Sequence, residues 1–155
     1  SLVELNAAIE SDRNLAPAYA EKGHVMVLLG RPEEAFEPVE QALRLDPLDP
    51  GRNIWEWYMC NAYAHLAQWE NAIDWCQKSA ASNPSLHWPY FELAAANAWL
   101  GRVPEATAAV TELRKLRPGF TVHDYLILPK PENAKWRRED ERITEGLRKA
   151  GLPES

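Results

Sequence analysis

APAYAEKGHVMVLLGRPEEAFEPVEQALRLDP, residues Ala16 to Pro47, is the stretch that the rest of the chain repeats. Two apolar-periodic segments are joined by Leu29-Gly30-Arg31-Pro32, and the second runs into an Asp46-Pro47 stop. That pattern predicts a helical hairpin. The small residues Gly23, Ala35 and Ala42 fall where two antiparallel helices can approach closely, and Tyr19, Met26 and Val39 fill the seam around them. The closing prolines then recur: 37 residues separate Pro47 from Pro84, and 34 separate Pro84 from Pro118. The three extra residues belong to Asp46-Pro47-Leu48-Asp49-Pro50-Gly51, the strongest breaker in the chain. Self-similarity at such a period signals stacked units that bury their apolar faces on one another.

Outward from that unit, the predicted organisation is an array over residues 1–118 and a C-terminal segment over 119–155. Residues 1–13 read as half a repeat, a second helix without its companion. Together with the missing initiator Met, this leads us to expect a piece of a longer protein. Full repeats are expected at about 16–47, 53–84 and 87–118, with helices near 16–29 and 32–45, 52–67 and 69–82, and 86–100 and 103–116. Pro38 lies six residues into the second predicted helix, which demands a kink or a late start. The turn Leu66 to Ala72 has lost the glycine found at Gly30 and Gly101.

Beyond Pro118-Gly119, Thr121 and Asp124 have capping-box spacing, so a short helix is expected near 122–127. Pro129 and Pro131 end it. A last helix near 132–149 carries a narrow stripe of Trp136, Ile143 and Leu147 among charges that include Glu139 and Asp140. It is expected to cap the array over Phe120, Tyr125 and Leu128, with its acids in solvent.

The repeat resembles the tetratricopeptide family over about residues 1–118. Tyr19, Gly23, Ala35, Ala42 and Pro47 match in the first repeat, Met59, Tyr63, Ala72 and Pro84 in the second, and Tyr90, Leu93, Ala106, Val110 and Pro118 in the third. Lys22, Glu56, Cys60, Ala94 and Asn97 depart from the pattern. The resemblance implies an all-α array of tetratricopeptide-type hairpins with a C-terminal capping helix, acting as a non-catalytic binding scaffold that needs no cofactor or metal. The tail, PGFTVHDY and then EGLRKAGLPE, resembles the end of bacterial class III nucleotidyl cyclase-like proteins. That likeness implies an accessory C-terminal region of a larger signalling chain.

Composition narrows the partners. The 17 basic and 23 acidic side chains give a net charge of −6, the wrong sign for gripping nucleic acid. The longest apolar runs fall far short of the roughly 20 residues a membrane span needs. Cys60 and Cys76 lie at inward positions of predicted helices and are expected as free thiols in a reduced, cytoplasmic setting. Trp69 and Trp75 are expected to fill space between repeats, while the place of Trp55 stays undecided.

In such a stack the first helices line the concave face. Rotating away from each seam selects a candidate groove of Glu21, His24, Trp57, Tyr58, Asn61, His65, Trp88, Phe91, Glu92 and Trp99. Lys and Arg are missing from this set, which argues against a clamp for a terminal carboxylate. Aromatic rings with a few polar tips suit an apolar helix or an extended peptide. Two readings of the rings stand: a groove for a protein or peptide segment, which includes another part of the same polypeptide or a second copy, or contacts with adjacent repeats and the tail. The competing function is a small-molecule site between Trp57, Trp88 and Trp99. Catalysis finds no support. Glu21-x-x-His24 lacks the second such motif that a di-iron site needs, and no zinc pair, phosphate loop or nucleophile elbow occurs.

Overall fold

Nine α-helices and no strand make up the fold, in a computed structural model that describes residues 1–155. After α1 (Leu2–Ser11) come three antiparallel hairpins: α2 (Ala16–Leu28) with α3 (Phe36–Leu45), α4 (Arg52–His65) with α5 (Trp69–Ser82), and α6 (Pro89–Trp99) with α7 (Val103–Leu116). The C-terminal segment contributes α8 (Val122–Leu126) and α9 (Ala134–Lys149).

Close approach within the first hairpin rests on Gly23. A Cβ there would overlap Val39 Cγ2 and lie 2.8 Å from the Ala35 carbonyl oxygen. Pro38 is accommodated by the late start. A single turn of 3-10 helix spans Pro32–Glu34 and α3 opens only at Phe36, so the missing N–H of Pro38 falls in the first turn, where no intrahelical partner is required. The hairpin turns use the left-handed conformation, at Gly30 (φ 72°), Gly101 (φ 73°) and Ala67 (φ 56°). Ala67 therefore bears a cost that glycine avoids at the other two turns.

The largest core cluster runs from Cys60 on α4 through Ala94 and Leu113 to Ile143 and Leu147 on α9, so the last helix shares the array's core. Trp55 is buried at 5% exposure, packed with Ala16, Val39 and Met59, which decides its place. Trp69 and Trp75 are half-buried against the same cores, as space-fillers between hairpins. The buried Glu56 side chain, standing where the tetratricopeptide pattern it resembles has Trp, accepts hydrogen bonds from Arg52 Nε and Ser82 Oγ, each at 2.8 Å.

Three expectations are corrected. Cys60 and Cys76 are joined as a disulfide rather than free. Their Cα atoms, on facing helices of one hairpin, are 5.2 Å apart, inside the range a bridge requires. The redox argument for a cytoplasmic setting falls with the free thiols. What holds is that no helix is long and apolar enough to cross a membrane. Glu139 and Asp140 are buried, at 7% and 5% exposure, instead of solvated. Each is paired in the interior, as described below. Leu128 is exposed, while Phe120 and Tyr125 are covered as expected.

Helix α9 does more than close the end of the stack, because it lies along the concave face. Its N-terminus sits at the end of α2, where Asn133 Nδ2 donates to Leu29 O (2.9 Å) and Lys135 Nζ to Gly30 O (2.6 Å). Its C-terminal half lies on α6, where Gly146 brings the two backbones together. A Cβ on Gly146 would be 2.7 Å from Ala95 Cα.

Candidate functional site

The ten groove positions divide according to what α9 and the preceding loop cover. His65 and Phe91 belong to the covered part, and Trp99 is held at its edge while keeping 38% exposure. His65 is fully buried, its Nδ1 lies 3.1 Å from Glu139 Oε2, and its backbone oxygen accepts from Arg142. Burial pushes the Glu139 carboxyl up, but the hydrogen bonds from His65 and Lys135 outweigh it and hold the group below the usual carboxylate range. Phe91 packs edge-on against Tyr125, ring centroids 5.1 Å apart, and also meets Phe120. Trp99 donates its indole N–H to Arg142 O at 2.8 Å, with Lys149 over its ring. These aromatics hold the tail.

The remaining seven form a connected patch from α2 across α4 to α6. Tyr58 donates to the exposed Glu21 at 2.6 Å, and the His24 ring stacks on Tyr58 with centroids 4.4 Å apart. Burial, and then the Glu21 carboxylate, raises the Tyr58 pKa, so its proton stays in that bond. Burial likewise lowers the His24 pKa, which keeps its imidazole neutral at pH 7. Trp57 lies against His24 and Trp88, at 5.9 and 5.0 Å between centroids. Beneath these rings, Glu92 accepts from Trp57 Nε1 (3.2 Å) and Asn61 Nδ2 (2.8 Å). Burial raises the Glu92 pKa to about 7 in spite of those two donors.

Five of the seven, His24, Trp57, Asn61, Trp88 and Glu92, line a cavity of about 220 Å³. Its far wall comes from the C-terminal segment: Tyr125, Lys130, Trp136 and Asp140. Tyr125 donates to Asp140 at 2.6 Å and Lys130 is ion-paired with the same carboxylate. These four were missed by periodicity, which ranks positions on one helix but carries no information about what lies over them. The signal available was Trp136, a large ring flanked by charges. A wider cleft of about 790 Å³ lies at the other end of the chain among α1, α2 and α3. Its wall is largely charged, with Lys22, Arg31, Glu33, Glu34 and Glu37, and it brings none of the candidate residues together.

A metal finds poor ligands here. Cys60, Cys76 and Glu92 place one ligand atom each within 4.8 Å of one another, but the two sulfurs are bonded together and offer no thiolate.

No protein-family model matches this chain, and no curated protein does. Solved structures do. The crystal structure of MamA superposes with TM-score 0.69 at 18% identity, covering 96% of this chain and 84% of that one. PilW, described as a widely conserved type IV pilus biogenesis factor, gives TM-score 0.71 at 20% identity over 92% of this chain and 64% of its own. YrrB, described as a TPR protein with an unusual peptide-binding site, gives TM-score 0.64 at 23% identity over 96% and 74%. At such identities the likeness establishes the fold: this is an all-α array of tetratricopeptide-type hairpins.

Proposed function

We propose that this chain is a non-catalytic protein-interaction scaffold whose concave edge receives a protein or peptide segment. The observation that carries the reading is the division of the groove. The tail covers His65 and Phe91 and holds Trp99 by its indole N–H, whereas Trp57 and Trp88, in mutual contact, donate nothing to the tail; Trp88 and Trp99 each keep 38% exposure. An exposed tryptophan such as Trp88, beside the half-buried Trp57, is a favoured anchor for a partner. YrrB, of the same fold, is described as having a peptide-binding site. A photo-crosslinking residue in place of Trp88 should capture a protein, and Trp57→Ala should abolish capture in an otherwise equivalent, fully folded chain. Capture that survives Trp57→Ala, or that occurs only from α3, α5 and α7, overturns the site.

The tail resemblance supports placing this scaffold at the C-terminal end of a larger bacterial signalling protein of the nucleotidyl cyclase-like kind. The coding sequence upstream of residue 1 tests that. A cytoplasmic setting goes with it, and thiol trapping of Cys60 and Cys76 in cells reports whether the pair is reduced there.

A second reading, a small-molecule site, is favoured by one specific observation. The cavity of about 220 Å³ is walled by Trp57, Trp88 and Trp136 together with the polar side chains of Asn61, Glu92, Lys130 and Asp140. Aromatic walls with a few convergent polar groups are the usual make-up of a ligand pocket. A thermal-shift screen with metabolites and nucleotides tests this reading. A shift of several degrees by one compound supports it, and a flat screen removes it.

A further inference from the structure

We propose that Cys60, Cys76 and Glu92 form a metal site in the reduced chain, where two thiolates and a carboxylate hold one thiophilic divalent cation of the zinc class. The bridge and the metal are alternatives, so the redox state of the pair decides whether the site exists. The site lies beneath the groove and requires no partner in it. Two independent observations carry the inference.

The first is convergence. Cys60 on α4, Cys76 on α5 and Glu92 on α6 come from three helices, and each brings one ligand atom within 4.8 Å of the other two. All three are interior, both cysteines at 0% exposure and Glu92 at 2%. A tetrahedral zinc ion, with bonds of about 2.3 Å to sulfur and about 2.1 Å to oxygen, needs these atoms roughly 3.6–3.8 Å apart. With the Cα atoms of the two cysteines 5.2 Å apart, the sulfurs of an opened bridge still face each other, and small rotations about their Cα–Cβ bonds reach that spacing. The second observation is a missing counter-charge. Four acidic side chains of the fold are buried: Glu56, Glu92, Glu139 and Asp140. Three of them are ion-paired, Glu56 with Arg52, Glu139 with Lys135 and Asp140 with Lys130. Glu92 is the exception, because its partners are the neutral donors Trp57 Nε1 and Asn61 Nδ2. Buried charges are ordinarily paired or bound to a metal.

The donor set selects the cation. Thiolates favour zinc and its soft neighbours, whereas magnesium and calcium seek oxygen ligands alone. The Trp57 and Asn61 donors orient the carboxylate as the hydrogen-bond partners of a metal ligand do. A dithiol reductant opens the site: it delivers two electrons and two protons, the bond between the two Sγ atoms breaks, Cys60 and Cys76 become thiols, and the reductant closes to a cyclic disulfide. The cation then displaces both thiol protons to solvent and accepts the Glu92 carboxylate as its third ligand. The fourth position of the tetrahedron falls to a water.

Cadmium is the probe, because its bonds to thiolates absorb in the ultraviolet. The full chain is reduced in denaturant with a phosphine, which leaves no competing thiolate, and is refolded with cadmium added either before or after refolding. Absorption should saturate at one ion per chain with release of about two protons, and zinc should compete for the same ion. The bridged chain should show no such absorption. Cys76→Ser should abolish the saturable signal. Glu92→Gln keeps both sulfurs and an acceptor for Trp57 and Asn61, and should weaken cadmium by at least the roughly tenfold that loss of a ligand's hydrogen-bond partner already costs. Circular dichroism confirms that each form is helical, and helix regained by the reduced chain only in the presence of cadmium or zinc supports the site. Absence of saturable absorption in the reduced chain under both orders of addition overturns the proposal, as does a reduced chain that fails to fold with or without metal. Equal binding by the bridged chain places the metal elsewhere and overturns it as well. Unchanged affinity in Glu92→Gln overturns the carboxylate as a ligand.

Discussion

Substituting Gly146 by Ala tests whether α9 is part of the core. In an exposed helix the change would stabilise by about 1 kcal/mol, because glycine is the poorer helix former. Here the added Cβ would stand 2.6 Å from Ala95 Cβ, 2.7 Å from Ala95 Cα and 2.9 Å from Trp99 Nε1. Ala95 Cα is backbone, so no rotamer change relieves the overlap. To reach an ordinary contact of 3.4 Å, α9 must retreat from α6 by about 0.7 Å. That retreat loosens the fully buried Ile143 and Leu147 on either side. Overpacking costs about 1–3 kcal/mol, and about 2–3 kcal/mol where, as here, the contact is with rigid backbone, so after the propensity gain of about 1 kcal/mol the net loss should be about 1–2 kcal/mol. For a chain of this length each kcal/mol shifts the midpoint by about 2–4 °C, so melting followed by circular dichroism should fall by about 2–8 °C. Gly146→Leu should displace the helix altogether and remove the hydrogen-exchange protection of residues 134–149. A Gly146→Ala midpoint equal to or above that of the parent would show that α9 is not seated on α6.

Ala67→Gly should raise the midpoint by a few degrees, since a left-handed alanine costs roughly 1–2 kcal/mol and glycine returns part of that as unfolded-state entropy; an unchanged or lower midpoint refutes strain at this turn. Glu92 is the pH-sensitive group to watch. It faces Trp57 and Asn61 on α4 and, from the C-terminal segment, Tyr125, Asp140 and Lys130. Its folded pKa, about 7, lies above the ordinary 4.5, so the folded state binds the proton more tightly. Its contribution is fully present below pH 4.5 and is lost as pH rises through about 7. Denaturant midpoints measured across that window should fall less steeply for Glu92→Gln than for the parent, and identical slopes would refute the burial of the carboxyl. Replacing both Cys60 and Cys76 by Ala opens a loop of 16 residues and should cost about 3 kcal/mol, read as a lower denaturant midpoint, whereas no change would mean that the bridge does not constrain the unfolded chain.

What the sequence determined by itself was local. A proline-closed period, the small residues at Gly23 and Ala35, and the turn glycines at Gly30 and Gly101 each act over one hairpin, and together they specify helix count, helix order and the stacking of hairpins. Pro38 alone limits α3 to a kink or a late start, and the structure takes the late start. The capping box at Thr121 and Asp124 likewise acts within one turn and is formed as read. The tertiary structure decided everything that depends on two distant segments meeting. Nothing in the spacing of Cys60 and Cys76 reveals that their Cα atoms are 5.2 Å apart, because that distance is set by how closely α4 and α5 pack. Nothing in the charged run Arg137 to Arg142 marks Glu139 and Asp140 as interior, because their partners His65 and Tyr125 come from other helices. The fate of the groove turns on the same kind of contact. Gly146 reads as a weak point in a helix until Ala95 is seen beneath it, and that approach is what lets α9 cover His65 and bond the Trp99 indole N–H, with Trp57 and Trp88 lining the cavity beside it.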